Sequence, residues 1–244
     1  MDFSDLESAL ALSLASDTSL DTVVVGVLVT LASFATPLAG VVLVGYVVRL
    51  VRAGGRTATA LPAFDEFGGM VVDGVRLSVV LLALQLPAVG MAVAVAKLAG
   101  ASFATLVYAA EMHSLHVIGN SALIGVGLVA AGGAALVGTY LSAAATVALA
   151  RERSLVAAVP TTRELASDTS FVPVVSAVAL VVFAGRLLTA LFGALPLVGS
   201  GLAALVSFFA LVASATLLGR GASKLAAHDS TPRPESTVDA VGSA

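Results

Sequence analysis

Glu111, His113 and His116, in the segment EMHSLH, carry metal-binding chemistry within one helical turn and a half of each other. On a helix the two imidazoles, three positions apart, can share a cation, with Glu111 joining only if the backbone bends. The spacing is that of no common zinc motif, so a solvated outer helix without a metal is expected. Arginine offers a second chemistry. Arg49, Arg52 and Arg56 follow one apolar run and Arg151, Arg153 and Arg163 follow another. Beside an acidic leaflet each such guanidinium attracts lipid headgroups by about 1 kcal/mol. The same charges serve equally well to fix topology, and both readings stay open.

Two polar groups interrupt apolar runs. Arg186 is the costlier, because a guanidinium deep in hydrocarbon costs at least ~2.5 kcal/mol. Snorkelling to the outer surface or pairing with Glu111 relieves that cost, and a solute path is the functional alternative. Gln85 stands beside Pro87, where it can hydrogen-bond the carbonyl that the proline leaves unpaired. Paired carboxylates, a nucleophile with its base and a phosphate loop are all missing at plausible positions, so neither an enzyme nor a cofactor is expected. The spans hold no acid of the kind on which proton-coupled transport relies.

The elements that must position these groups follow from composition. The 244 residues are 59% hydrophobic and 11% charged, against roughly 25% charged in a soluble domain. With a mean hydropathy of +1.06, the chain has too few polar residues to cover a water-facing surface. A bilayer accepts apolar side chains facing outward, so a membrane protein is expected. No cysteine is present, which removes disulfides and thiolate sites, and a net charge of -3 implies no nucleic-acid partner.

Residues 1–22 form an acidic tail or surface helix, 23–226 a transmembrane domain, and 227–244 a polar tail expected to be disordered. The first apolar run, Val23 to Val51, would measure ~43 Å as a straight helix against ~30 Å of hydrocarbon. It is either one span kinked at Pro37 or a re-entrant hairpin folded at Thr36 and Pro37, which would move the N-terminus to the opposite side. Further spans run from about Leu77 to Ala99, Ser121 to Ala150, Phe171 to Ala194 and Leu197 to Gly219. In the third, Ala130, Ala134, Gly138, Ser142 and Thr146 recur at four-residue steps. Such a ridge of small residues lets another helix backbone approach closely and is the expected packing seam.

With the first run as one span, Arg49, Arg52, Arg56, Arg76, Arg151, Arg153, Arg163, Arg220, Lys224 and Arg233 gather on one side. Only Lys97 and Arg186 are left for the other. This bias orients the protein in the cell membrane with its N-terminus outside and its C-terminus in the cytoplasm. Between the first two spans, Phe64, Phe67, Val71 and Val75 fall on one helical face, and Asp65, Glu66, Asp73 and Arg76 on the opposite arc. That division predicts a short amphipathic helix, begun by Pro62, lying in the inner interface.

The same stretch carries a resemblance. Gly45–Tyr46, the LPAFDEF of Leu61 to Phe67, Asp73–Gly74, Pro196, Gly199 and the GRG of Gly219 to Gly221 resemble an uncharacterised family of archaeal and bacterial polytopic membrane proteins. Ala63 stands where that family commonly has an acidic residue and Phe67 where it has tryptophan. The resemblance implies a multi-span helical fold and no particular activity. The expected architecture is all-α, a bundle of five transmembrane helices with an inner interfacial helix. The expected role is a non-catalytic membrane scaffold or interaction protein, with membrane lipids, other membrane proteins or further copies of itself as partners. A small-solute transporter or channel is the alternative.

Overall fold

The structure is a computed structural model that describes residues 20–55, 60–98, 122–195 and 198–229. Residues 1–19 of the acidic N-terminal tail, Arg56, the EMHSLH segment and residues 230–244 of the polar C-terminal tail lie outside the described residues, whereas the tail residues 227–229, expected to be disordered, continue the last helix. Those described form seven helices and no strand. These are α1 (Leu20–Ser33), α2 (Pro37–Gly54), α3 (Phe67–Leu98), α4 (Ala122–Glu152), α5 (Leu155–Ser167), α6 (Phe171–Gly193) and α7 (Gly199–Asp229). Five of them, α2, α3, α4, α6 and α7, are long and apolar enough to cross a membrane. The chain is a polytopic helical membrane protein.

The first apolar run is the hairpin and not the kinked span. Pro37 occupies the first turn of α2, where its missing N–H and fixed φ cost nothing, and Thr36 before it is extended (φ -134°, ψ 127°). A continuous helix would hold Gly26 and Tyr46 about 30 Å apart. Instead both meet Phe208: a Cβ on Gly26 would collide with its ring, and the ring of Tyr46 stacks 6.2 Å from it. The chain therefore doubles back at Phe34 to Thr36, and Leu20 lies on the same side of that turn as Gly54. With the first run folded this way, the placement of the N-terminus opposite the arginines loses its basis.

Central α7 packs against α1, α2 and α6 and more lightly against α4, while α3 lies between α2 and α4. Two crossings bring backbones into contact. At the first, a Cβ on Gly45 would strike the Met70 carbonyl oxygen and one on Gly74 the Val41 carbonyl oxygen. At the second, Gly54 meets the Thr216 backbone and Gly219 the Val51 carbonyl oxygen. Helices in lipid gain little from hydrophobic burial, so association rests on such close dispersion contact.

The separate amphipathic helix expected from Pro62 is not formed. The chain from Leu61 to Glu66 is irregular, and Phe67, Val71, Asp73 and Arg76 belong to one continuous helix that runs to Leu98. The Gly45–Gly74 crossing explains this, since α3 must already be helical where it meets α2. A short helix does lie at this end of the molecule, but in the next loop. Helix α5 buries Ala158 and Leu165, leaves Val156 83% exposed, and receives the Tyr140 hydroxyl on the Ala166 carbonyl at 3.3 Å.

Candidate functional site

The candidate site is assembled where α2, α3, α4 and α7 converge at the arginine-bearing end. Once the Gly45–Gly74 crossing has brought α2 against α3, the next residue, Tyr46, points at the irregular Leu61–Glu66 segment. Its hydroxyl donates to the Pro62 carbonyl at 3.0 Å, and its ring stacks on Phe64 with centroids 4.0 Å apart. Phe208 of α7 closes the aromatic cluster. Phe64 thus packs on Tyr46, whereas the amphipathic reading sinks it into the lipid below the headgroups.

One turn after Tyr46, Arg49 clasps the same segment. Its Nη1 donates to the Asp65 carbonyl at 2.9 Å and to Asp65 Oδ1 at 2.7 Å, and its Nη2 reaches Glu66 Oε2 at 3.2 Å. The Arg49 side chain is only 14% exposed, whereas that of Asp65 is 69% exposed. The ion pair is consequently wet on its acidic side, and its worth lies in fixing the loop more than in Coulomb energy. Arg52, one turn further, donates from Nε to the Ala150 carbonyl of α4 at 3.0 Å and approaches Asp73 Oδ2 at 3.7 Å. Asp73 is shared with Arg76 at 3.8 Å, and Arg76 in turn donates to the Arg153 carbonyl at 3.2 Å. A chain of contacts therefore ties α2, α3 and α4 together.

Two spaces open beside it. A broad groove of about 760 Å³ is lined by Arg49, Arg52, Glu66, Asp73, Arg76 and Arg153, with both signs of charge. A smaller cavity of about 280 Å³ lies between α2, α4 and α7, lined by Arg52, Arg151, Arg153 and Ser223 beside Gly55 and Gly219. Arg151 is anchored at its edge by Nη2 donating to the Ala222 carbonyl at 2.7 Å. Arg153 follows the end of α4 with φ 56°. Glycine is the usual residue in that left-handed position, which costs other residues roughly 1–2 kcal/mol.

The acids picked out in the sequence, Asp65, Glu66 and Asp73, are thus the partners of its arginines. Arg49 and Arg52 engage those carboxylates, and the headgroup role suggested for them competes with that engagement. Arg163 is exposed and lies apart, lining an apolar groove of about 480 Å³ between α3, α4 and α5. Gln85 does not repair its own helix at Pro87. It donates to Thr139 Oγ1 on α4 at 3.4 Å, drawn across by the close approach of Gly138 to Leu84. Arg186 is exposed on α6. Of the small-residue ridge, Gly138, Ser142 and Thr146 are buried within the chain, Ala134 is half-buried and Ala130 is exposed. Among the described residues no group of three or more His, Asp or Glu side chains could hold a metal ion. Sequence reasoning marked Tyr46 only as part of the family resemblance and gave it no contact, although it is the lone aromatic in GYVVRLV. It passed over α5, whose buried Ala158 and Leu165 are seven positions apart, two helical turns.

Residues 28–196 match the model of a family described as a protein of unknown function, DUF4013, and the chain belongs to that family. No curated protein and no solved structure matches it.

Proposed function

For a member of this family we propose a non-catalytic membrane scaffold, held in one shape and presenting its surface to lipids and to other membrane proteins. The observation that carries the reading is that Arg49, Arg52 and Arg76 are turned on Asp65, Glu66 and Asp73, at helices crossing backbone to backbone. Charges committed in this way hold a geometry and are poorly disposed to turn over a substrate. The exposed half of α4 around Ala130 offers a close-packing surface for a second copy or another membrane helix. We place the arginine-bearing end in the cytoplasm, with the protein in the cell membrane, because basic residues are retained on that side. Both Leu20 and Asp229 then lie on the cytoplasmic side.

A small-solute transporter is the second reading. It is favoured by the break between α1 and α2 at Phe34 to Thr36, since interrupted helices form many transport sites. The two are separated by purifying the chain from native membranes and by measuring flux in liposomes. The scaffold reading expects a co-purifying membrane protein or a stable homo-oligomer and no solute flux. Saturable uptake abolished by Arg186→Ala would overturn it in favour of transport.

A further inference from the structure

We propose that the cavity between α2, α4 and α7 is a binding site for a phosphate-class oxyanion, either the phosphate of a membrane lipid or a soluble phosphate. The two spaces at this end differ in their chemistry. The groove has Glu66 and Asp73 among its lining residues, whereas the cavity is lined by Arg52, Arg151 and Arg153 and, among the described residues, by no carboxylate. Asp73 meets Arg52 from the groove side, and Glu164 and Asp168 share only a neighbouring pocket with Arg151. Arg52 already faces Asp73, whereas Arg151 and Arg153 form no ion pair among the described residues, and the planar donor fork of arginine matches phosphate oxygens.

Two further features make this a built arrangement. Arg52 and Arg151 are each fixed from a neighbouring helix, by the carbonyls of Ala150 and Ala222. Arg52 spends Nε on the Ala150 carbonyl and faces Asp73 with Nη2, so the donors offered to a ligand are chiefly those of Arg153 and of Arg151, which gives one of its five to Ala222. Arg153 keeps an arginine at a left-handed backbone position that glycine would occupy without strain.

The test uses the full chain in phosphatidylcholine nanodiscs, titrated with inorganic phosphate in one arm and supplied with phosphatidylglycerol in the other. Binding is read by native mass spectrometry and by melting temperature. One of the two probes is expected to bind saturably: phosphatidylglycerol alone identifies a lipid phosphate, and inorganic phosphate a soluble one. Arg151→Gln is expected to weaken that binding by about tenfold, the loss of a charged hydrogen-bonding group. Arg153→Gly is the sharper variant, because it removes backbone strain together with the guanidinium. It should melt at or above the temperature of the parent chain and still bind the anion about tenfold more weakly. Arg186→Gln, on the exposed face of α6, should bind like the parent. The proposal is overturned if neither probe binds, if Arg153→Gly binds as tightly as the parent, or if Arg186→Gln weakens binding as much as Arg151→Gln does.

Discussion

The two ends of this bundle are built differently from the same apolar alphabet. At the arginine-bearing end, Tyr46, Leu50, Met70, Leu77, Phe171 and Leu217 are fully buried, and glycines let α2 touch both α3 and α7 backbone to backbone. Toward the other end, Leu86 and Leu98 of α3, Val126 and Val129 of α4, and Leu187 and Leu191 of α6 are exposed. Leucine occurs in both sets, so apolarity alone does not separate them. The buried set lies beside the crossings where Gly45, Gly74, Gly54 and Gly219 let helix backbones meet, and the exposed set lies away from them. Hydrophobicity places these helices in a bilayer, and the glycine positions decide where they hold together.

The largest effect that can break this contrast comes from giving the two ends the same substitution. At Gly45 an added side chain runs into the Met70 carbonyl, which belongs to a helix backbone and cannot yield, whereas a side chain at Gly132 meets nothing within 4 Å. Gly45→Leu is expected to destabilise the fold by about 3 kcal/mol or more, through overpacking with no room for relaxation. Gly132→Leu should stay within about 0.5 kcal/mol of the parent. Reversible unfolding in mixed micelles measures both, and equal losses would show that the two ends are packed alike.

A smaller effect tests whether the charges or the glycines hold the packed end. Asp73 is shared by Arg52 and Arg76, and its side chain is 20% exposed. Asp73→Asn keeps the shape and removes the charge. Both contacts are long, at 3.7 and 3.8 Å, so the expected loss is about 1–2 kcal/mol, that of charged hydrogen-bonding groups left poorly partnered. The loss should shrink in high salt, since Arg76 is partly in water. A loss as large as that of Gly45→Leu would make the ion pairs the principal tie.

The spans were legible in the sequence because a run of apolar residues of bilayer length has few other destinations. The turn at Phe34 to Thr36 was not decided by it. Hydropathy continues unbroken through Pro37, and a proline within a helix looks the same as a proline that begins the next one. The Phe64 stretch misled for a different reason. Its aromatic and acidic residues do separate on a helical wheel, but the partners that claim them, Tyr46 and Arg49, stand well before them in the chain and do not enter a local pattern. Arginine and carboxylate types were visible throughout; their pairing waited on the Gly45–Gly74 crossing, which no local pattern fixes. Helix α5 was hidden because it buries little and carries Pro160 and two threonines, a composition that suits a loop equally well.

The smallest expected effect isolates one bond within the packed end. Tyr46 is wholly buried, its ring clusters with those of Phe64 and Phe208, and its side chain's only polar atom donates to the Pro62 carbonyl. Tyr46→Phe keeps the ring and its stacking while deleting the donor. The Pro62 carbonyl then loses its partner at the half-buried edge of the site, where water can replace part of the bond, so the expected cost is about 1 kcal/mol. If the hydroxyl is what holds Leu61 to Glu66 over α2, the variant should also loosen Arg49 from Asp65. Asp73→Asn and Tyr46→Phe would then show separate, additive losses, because Asp73 pairs with Arg52 and Arg76 and shares no partner with Tyr46. Amide hydrogen exchange over Leu61 to Glu66 provides the check. Faster exchange there with unchanged protection in α7 would place the effect in the loop, and faster exchange across α7 as well would mean that the aromatic cluster, and not the hydroxyl alone, had been disturbed.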